Sequence, residues 1–294
     1  MDARDGSPGV LVQQLFDPFG ATTSQRWRDR RAAWRAREDL VDTGRLALVE
    51  LDERVAKDFV CRHHYSGAYP AARMRYGLVD RVADRLLGVL VLGVPMQAKV
   101  LSNVFPELAP GEAAELSRLV LLDDEAAGAN AESYFVSRAF RAAAERGLRG
   151  VVAFSDPVPR RRVDGTTVMP GHVGIVYQAT NAAYLGRASA RSLVLLPDAT
   201  VLTARAISKL VGLERGHGYV ERRLVALGAE PRGGMQPRAW LEEALRVIGA
   251  RRVSHPGNFR YAWAVGDRAA RRQVVVSGTA GPYPKRIDSG LLVA

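Results

Sequence analysis

The sequence has almost no cysteine and no long apolar run. Cys61 is the only cysteine among 294 residues, which excludes an internal disulfide and leaves no second thiolate for a zinc pair. We expect Cys61 to serve in packing. No stretch approaches the roughly 20 consecutive apolar residues that cross a bilayer, and residues 1–5 lack the apolar segment of a signal peptide. These absences predict a cytoplasmic protein without a membrane partner.

Acidic residues are scarce relative to basic ones. The chain has 42 Lys and Arg against 31 Asp and Glu, a formal charge of +11, and a pI near 10.3. Residues 203–294 hold 16 Lys and Arg against 7 Asp and Glu, which is +9 of that excess. Such a balance favours a polyanionic partner, because Lys and Arg release counterions when they neutralise phosphates. An arginine-rich genome would produce the same excess, so both interpretations stay open.

Hydrophobic periodicity predicts an α/β (α+β) chain in the order β-α-β-β-β-α-β-α-β. The predicted strands are 46–51, 74–79, 86–93, 115–122, 150–154 and 192–196, and the predicted helices lie near 55–60, 131–147 and 174–183. The charged turn Asp80-Arg81 joins two of the strands into a hairpin.

Composition divides the chain into four regions. We predict a basic arm at 1–44, a core at 45–200, a basic helical accessory region at 201–280 that closes with strands, and a tail at 281–294. Within the arm, residues 27–37 are typical of either an arginine-rich helix or a basic arm with a solvated face.

The first candidate site is a strand, loop and helix junction. Glu115-Leu116-Ser117-Arg118-Leu119 lies on a predicted strand, and a polar loop follows and ends on Asn130, a good N-cap residue. A helix N-terminus of this kind can hold a pyrophosphate. Every α/β protein has such junctions, however, and the loop is not a P-loop.

The second candidate is the end of the first helix. His63 and His64 are adjacent, so they cannot share a helix face, and a zinc site is disfavoured. His64 can act as a general base, and Tyr65 can donate a hydrogen bond or stack on a base. The alternative is an ordinary helix C-cap.

Two further candidates follow the strand at 150–154. Asp156, after Ser155, can orient or deprotonate an amine at the carboxyl end of that strand, or it can simply begin a turn with Pro157. The segment 171–181 carries Tyr177, Gln178 and Asn181 within an apolar stretch. Tyr177 and Asn181 are four residues apart and so are predicted on one helix face, where a structural role is the alternative.

Taken together and in this order, five segments resemble the Mom family of phage DNA-modification proteins: 64–66, 115–119, 130–133, 155–157 and 171–181. The resemblance covers about residues 45–196. It implies a mixed central sheet of the GCN5-related N-acetyltransferase type, here with a basic helical C-terminal extension. It also implies that adenine N6 in double-stranded DNA becomes N6-methylcarbamoyl (acetamido) adenine, which protects phage DNA against restriction, and that acyl-CoA or a related acyl donor is used.

The resemblance assigns roles by motif. It places Arg118, Asn130 and Ser133 at the donor pocket, His64, Tyr65, Asp156 and Tyr177 at the reacting amine, and Ser155, Gln178 and Asn181 in support. Loop 123–129 keeps only a degenerate form of the acetyltransferase pyrophosphate loop, and the insertion 157–170 separates Asp156 from Tyr177. No metal ligand is assigned, and a metal requirement stays open.

Two other functions compete. One is a GCN5-like N-acetyltransferase that acts on a protein or a small-molecule amine, and the other is a non-catalytic DNA-binding protein. Direct acetyl transfer would form an amide on N6, whereas the implied product has a CH2 group bonded to that nitrogen. A DNA adenine must also leave the stacked duplex to be modified. We expect the basic C-terminal helices, with Lys209, Arg215, Arg222 and Arg223, to contact phosphates rather than read bases.

Overall fold

The computed structural model describes residues 23–28, 31–36, 39–285 and 292–293, and it gives only the backbone for the first two and the last of these ranges. Most of the predicted arm and part of the predicted tail lie outside the described residues. No helix within these ranges is long and apolar enough to cross a membrane.

The described elements largely follow the predicted order. The strands are β1 (Thr23–Arg28), β2 (Arg31–Ala36), β3 (Leu46–Glu50), β4 (Ala72–Asp80), β5 (Arg85–Gly93), β6 (Ala113–Leu121), β7 (Gly150–Ser155), β8 (Arg160–Arg161), β9 (Thr167–Met169), β10 (Ala183–Arg187), β11 (Arg191–Leu195), β12 (Val201–Leu202), β13 (Arg251–His255), β14 (Phe259–Ala264) and β15 (Leu292–Val293). The helices are α1 (Glu53–His63), α2 (Lys99–Ser102), α3 (Ala131–Glu145), α4 (Ile175–Ala179), α5 (Ala204–Val211), α6 (Gly218–Ala226), α7 (Pro237–Val247) and α8 (Arg268–Arg272).

The chain folds into two compact units. The first contains the described residues up to Ser155, then Val173–Gly186 and 259–285, and the second contains Asp156–His172, Arg187–Asn258 and 292–293. Strand β14, which we assigned to the accessory region, therefore lies in the first unit. The chain leaves the first unit and returns to it twice, which a contiguous division of the sequence does not anticipate.

A seven-stranded mixed sheet organises the first unit, and the predicted mixed sheet is confirmed. Its strand order is β10-β14-β7-β6-β5-β4-β3. Strands β3 to β6 pair antiparallel in sequence, β6 pairs parallel with β7, and β7 pairs antiparallel with β14. The central strand β5 is buried almost throughout, as expected of a continuous apolar run covered on both faces.

Helices cover this sheet through the predicted apolar stripes. Helix α1 contributes Ala56 and Val60 to a cluster with Val89, Val91 and Val120, and α3 buries Phe135, Val136, Ala139, Phe140 and Ala143. Cys61 is exposed, so the prediction that it serves in packing is wrong. Its neighbour Val60 takes the inward position on α1 instead.

Two segments differ from their predicted structure. The described part of the predicted segment 27–37 is not helical: β1 and β2 pair in antiparallel fashion, with Trp27 opposite Ala32 and Gln25 opposite Trp34. Helix α4 ends at Ala179, well before the predicted end at 183, because Asn181 adopts a left-handed conformation (φ 59°). The chain then enters β10, so Tyr177 and Asn181 do not share a helix face.

The second unit is a separate core. Strands β12, β11 and β13 form one sheet, and helices α5, α6 and α7 lie in the region that was predicted to be helical. They bury Leu210, Val220, Leu224, Trp240 and Leu241 in one cluster. The insertion 157–170 contains the hairpin β8–β9, and β15 pairs with β8 in parallel.

A buried ion pair closes one end of the first sheet, where β4 ends beside β3. Asp80 is fully buried, and Arg45 donates to its two oxygens from Nε at 2.8 Å and from Nη2 at 2.7 Å. The hydrogen bond from Arg45 lowers the pKa of Asp80 from its ordinary 3.8 to about 2, although burial opposes the shift. A depressed folded-state pKa stabilises the fold above 3.8 and loses that contribution as the pH falls through about 2.

We therefore expect Asp80→Asn to lower the midpoint of urea unfolding at neutral pH, because it leaves the Arg45 guanidinium without its carboxylate. The wild-type midpoint should fall between pH 4 and pH 2 more steeply than that of the variant. Glu243→Gln, which removes an exposed pair with Arg246 on α7, is the control and should change little. Equal midpoints for wild type and Asp80→Asn across this range would contradict the stabilising role of the pair.

Candidate active site

Strands β6 and β7 separate near the middle of the sheet. Their parallel pairing joins Ala113–Glu115 to Gly150–Val152 and ends there, although both strands continue. The carboxyl-terminal halves of the two strands therefore leave an opening, at the edge where α/β sheets usually bind ligands.

A β-bulge at Ser117 shapes the β6 side of this opening. The register of β6 against β5 shifts at this residue, and Gly93 on β5 makes room for it, since a Cβ there would lie 2.5 Å from the Ser117 hydroxyl. In unbroken alternation, residues three apart point to opposite faces of a strand. The extra residue returns Arg118 to the face that Glu115 occupies.

Arg118 is held by backbone carbonyl groups. Its Nε donates to the Ala68 oxygen at 3.0 Å, and its Nη1 donates to the Ser117 oxygen at 2.6 Å. Burial lowers the pKa of Arg118, while Tyr65 and Glu115 nearby favour its charged form. Within the described part of the chain, no carboxylate lies at ion-pair distance from this guanidinium, so its charge is available to a ligand.

Glu115 is the carboxylate of this opening. Burial raises its pKa, and the charge of Arg118 opposes that shift. A carboxylate with a raised pKa is a stronger base than an exposed one. Sequence reasoning quoted Glu115 within a motif and assigned it no role, although a single carboxylate in an apolar strand was a usable signal.

Tyr177 stands on α4 among aromatic rings. Its ring centroid lies 5.4 Å from that of Tyr261 and 5.5 Å from that of Trp263, both in edge-to-face contact. Gly174 permits this packing, because a Cβ there would approach the Tyr177 ring to 2.7 Å. Burial raises the pKa of Tyr177, and Tyr65 and Glu115 raise it further, so the phenol stays protonated and able to donate.

Both interpretations of the end of α1, as a helix C-cap and as a candidate site, fall on His64. His64 is the C-cap, and its ring centroid lies 4.2 Å from that of Tyr65, which is 42% exposed. The backbone N–H of Ser66 donates to Nδ1 of His64 at 3.1 Å. The Ser66 hydroxyl lies 2.7 Å from the same nitrogen. Both polar groups of Ser66 therefore hold the His64 ring in place at the end of α1.

The predicted supporting residues differ in their surroundings. Gln178 donates from Nε2 to the carbonyl oxygens of Val173 at 2.9 Å and Pro284 at 3.1 Å, which ties α4 to a distant segment of the first unit. Ser155 is fully buried at the end of β7, with its hydroxyl near the Tyr261 phenol. Asn181 is exposed in the turn after α4.

The predicted donor pocket at the start of α3 is a poor fit for a pyrophosphate. Asn130 is the N-cap but is left-handed (φ 69°), without the side-chain cap that its residue type predicts, and Ser133 donates back to its carbonyl at 3.2 Å. In the loop, Asp124 accepts from the Ala126 N–H at 3.0 Å, and the Ala129 N–H donates to the Asp39 carbonyl. The chain thus uses N–H groups that a phosphate would need, and a carboxylate lies beside them.

Asp156 lies in the second unit, in a buried pair with His255. His255 is fully buried, its Nε2 lies 2.9 Å from Oδ1 of Asp156, and its Nδ1 accepts from the Gly257 N–H at 3.0 Å. Because a backbone N–H can only donate, Nε2 carries the proton and donates to Asp156. Gly257 is required at its position, since a Cβ there would overlap the Ala188 carbonyl.

The Asp156 carboxylate is stabilised as an anion. Burial raises its pKa, but the hydrogen bond from His255, the charge of Arg160 and the Val158 N–H outweigh burial and lower it. Arg160 lies 3.4 Å from Oδ2. Sequence reasoning missed His255, which lies 99 residues from Asp156 and carries no motif of its own.

The first unit therefore brings Tyr65, Glu115, Arg118 and Tyr177 together, and the second holds Asp156 with His255. Among the described residues, no group of three or more His, Cys, Asp or Glu side chains is arranged to hold a metal ion.

Solved structures resemble part of this fold. The spermidine/spermine N-acetyltransferase of Vibrio cholerae with manganese is 13% identical, with 52% of this chain and 83% of that chain covered and a TM-score of 0.32. The ribosomal-protein-S5-alanine acetyltransferase of Vibrio fischeri is 13% identical, with 50% and 85% covered and a TM-score of 0.32. The Vibrio cholerae spermidine N-acetyltransferase with CoA and spermine is 12% identical, with 52% and 86% covered and a TM-score of 0.31. Scores this low carry no argument about reaction or substrate.

No curated protein matches the chain at a significant level. The profile of the Mom protein family, in contrast, matches residues 45–285. This is a family of DNA-modification enzymes, and the chain is accordingly a transferase. Because the match spans most of the 294 residues, the chain belongs to the Mom protein family.

Proposed function

We propose that the chain modifies adenine in double-stranded DNA, converting the exocyclic N6 amine to N6-methylcarbamoyl (acetamido) adenine and protecting that DNA against restriction. Family membership supports the reaction class. The observation that carries the proposal is the opening between β6 and β7, where the bulge at Ser117 sets the half-buried Glu115 carboxylate beside the Arg118 guanidinium.

The substrate sets the first requirement. The N6 lone pair of adenine is delocalised into the ring, so the amine is a weak nucleophile, and in a duplex it is stacked out of reach. The base must be extruded, as in other enzymes that do chemistry on a base. Tyr65 is 42% exposed at the edge of the cluster and already packs on the His64 ring. It is suited to stack on the extruded adenine.

Glu115 is suited to take the proton. As the bond between N6 and the CH2 carbon of the donor forms, one N–H proton passes to the Glu115 carboxylate, and the leaving group departs with the electron pair of its bond. Burial raises the pKa of Glu115 and makes it the stronger base. The Arg118 guanidinium and the protonated Tyr177 phenol are placed to stabilise negative charge on the donor.

Asp156 was predicted to accept the N6 proton, and its surroundings favour a different role. Its Oδ1 already accepts from His255 and Val158, and its lowered pKa makes it a weak base. We assign Asp156 the role of a fixed negative charge in the second unit, held in position by the hydrogen bond from His255.

The chemistry of the donor is inferred from the product and not from the loop before α3. Direct acetyl transfer would leave an amide on N6, so an acyl donor must here present a CH2 carbon as the electrophile. Acyl-CoA or a related acyl donor stays within the proposal. Because the loop at Asp124 and Ala129 fits a pyrophosphate poorly, we derive no step through coenzyme A.

The reaction is tested by mass spectrometry of nucleosides from plasmid DNA co-expressed with the protein. Wild type should yield acetamido-adenine and resistance to restriction enzymes, an outcome that neither a protein acetyltransferase nor a DNA-binding protein predicts. Glu115→Gln should lower the yield about 100-fold or more, as expected for a lost general base. His64→Ala, Arg118→Ala and Asp156→Asn should each lower it, and exposed Glu107→Gln should not. Full modification by all four site variants would overturn the assignment.

The pH dependence of single-turnover modification tests the base. Only ionised Glu115 accepts a proton, so the wild-type rate should rise with pH through a value above the ordinary 4.5 of a glutamate. Glu115→Gln should lose this acidic limb along with most of its rate. An unchanged limb in Glu115→Gln would assign the titration, and the base, to another group.

The hydrogen bond from His255 to Asp156 is tested by His255→Leu. This variant removes the Nε2 donor and leaves Oδ1 of Asp156 short of a partner, which should lower the free energy of unfolding by about 1–3 kcal/mol. It should also raise the pKa of Asp156, which carbon-13 NMR of the carboxyl group measures. His255→Gln keeps a side-chain N–H and should restore part of both. If both variants leave the Asp156 pKa unchanged, His255 does not position that carboxylate.

A further inference from the structure

A second cavity lies in the first unit, apart from the opening between β6 and β7. It encloses about 750 Å³ and is lined by the second half of α3, the residues after β14, and α8. This volume is typical of a small-molecule site. The cavity is lined by Arg149, directly before β7 begins, whereas the opening lies towards the carboxyl end of that strand.

Three arginines from three separate elements line this cavity. Arg141 is on α3, Arg149 directly precedes β7, and Arg271 is on α8. In the part of the chain that the structure describes, none of their guanidinium groups makes an ion pair or a side-chain hydrogen bond. The carboxylates of Glu145 and Asp267 also line the cavity, and Asp267 caps α8 by accepting the Ala270 N–H at 2.8 Å.

Like charges that line one cavity without partners repel one another, and a bound anion relieves that repulsion. Guanidinium groups match phosphate oxygens in particular, because their forked N–H groups form paired, charge-assisted hydrogen bonds. The three arginines therefore indicate a phosphate-bearing ligand.

Two aromatic rings also line the cavity and are fixed in place. Phe140 and Trp263 have ring centroids 5.2 Å apart, and Trp263 Nε1 donates to the Thr180 carbonyl at 3.1 Å. Trp263 also contacts Tyr177 of the candidate active site. A ligand that contacts both the arginines and the aromatic rings carries a phosphate and an apolar ring or sugar.

We propose that this cavity binds the phosphate ester of a nucleotide unit, with the phosphate on the three arginines and the nucleoside against Phe140 and Trp263. A single DNA strand and a free mononucleotide share this chemistry. Where the ligand is a DNA strand, the inference rests on the proposed function and gives that enzyme a second contact with its substrate.

The test compares two double variants of the full chain that remove equal charge from the same helices. Arg141→Gln with Arg271→Gln removes two exposed arginines of the cavity. Arg138→Gln with Arg272→Gln is the matched control, because Arg138 lies over the Tyr134 ring and neither residue lines the cavity. Circular dichroism confirms that both variants are folded.

Binding of a short single-stranded oligodeoxynucleotide and of deoxyadenosine monophosphate is measured at several salt concentrations. Each lost charged hydrogen bond should weaken binding about tenfold, so the cavity variant should bind at least one probe about 100-fold more weakly than the control. For the oligonucleotide, the slope of log K against log salt should also fall by about 0.7 for each lost phosphate contact.

Loss with the oligonucleotide alone identifies a DNA strand as the ligand, and loss with both probes identifies a nucleotide site. Equal affinities of the two double variants for both probes, or no binding of either probe by wild type, would overturn the inference. Adenine modification is measured on the same variants. A wild type that binds DNA through the cavity without modifying it contradicts only the proposed function, and modification with equal binding contradicts only the cavity.

Discussion

The bulge at Ser117 is the constraint on which the candidate active site depends. Without the inserted residue, Glu115 and Arg118 would point to opposite faces of β6, and the opening beyond Val152 would hold a carboxylate or a guanidinium but not both. Gly93 has no side chain to take part in the chemistry, but the bulge requires it, since any side chain there would occupy the space of the Ser117 hydroxyl. A local irregularity in one strand thus creates the chemical pairing that the opening offers.

The two central carboxylates show how surroundings separate roles. Glu115 is half-buried with one opposing charge nearby, so its pKa rises, while Asp156 is half-buried beside His255, Arg160 and a backbone N–H, so its pKa falls. Two carboxylates of this chain therefore have pKa values shifted in opposite directions by their surroundings. Asp156 follows a strand and precedes a proline, which looks more functional in sequence than a glutamate inside a strand. Only the partners of each carboxylate distinguish them.

Much of the first sheet was predictable, because apolar periodicity reports directly on burial: β4, β5, β6 and α3 lie where the pattern placed them. The resemblance assigned Arg118 to the donor pocket and Tyr177 to the reacting amine, and the structure brings the two residues together. Three features were not accessible. The early end of α4 depends on a left-handed Asn181, the Asp156–His255 pair joins residues 99 apart, and the donor loop is occupied by a carbonyl from Asp39. Each is a tertiary contact or a backbone conformation that local pattern does not encode.

The basic excess of the C-terminal third takes on a different meaning once the fold is known. Residues 259–285 carry Arg260, Arg268, Arg271, Arg272 and Lys285 against the single acid Asp267, and this segment belongs to the first unit, not to the helical one. The positive charge of this segment therefore belongs to the unit that holds Glu115 and Arg118. Strand β14 leads into this basic segment and carries Trp263. Because Trp263 contacts Tyr177 and also lines the cavity of the three arginines, this strand connects the candidate active site to that cavity.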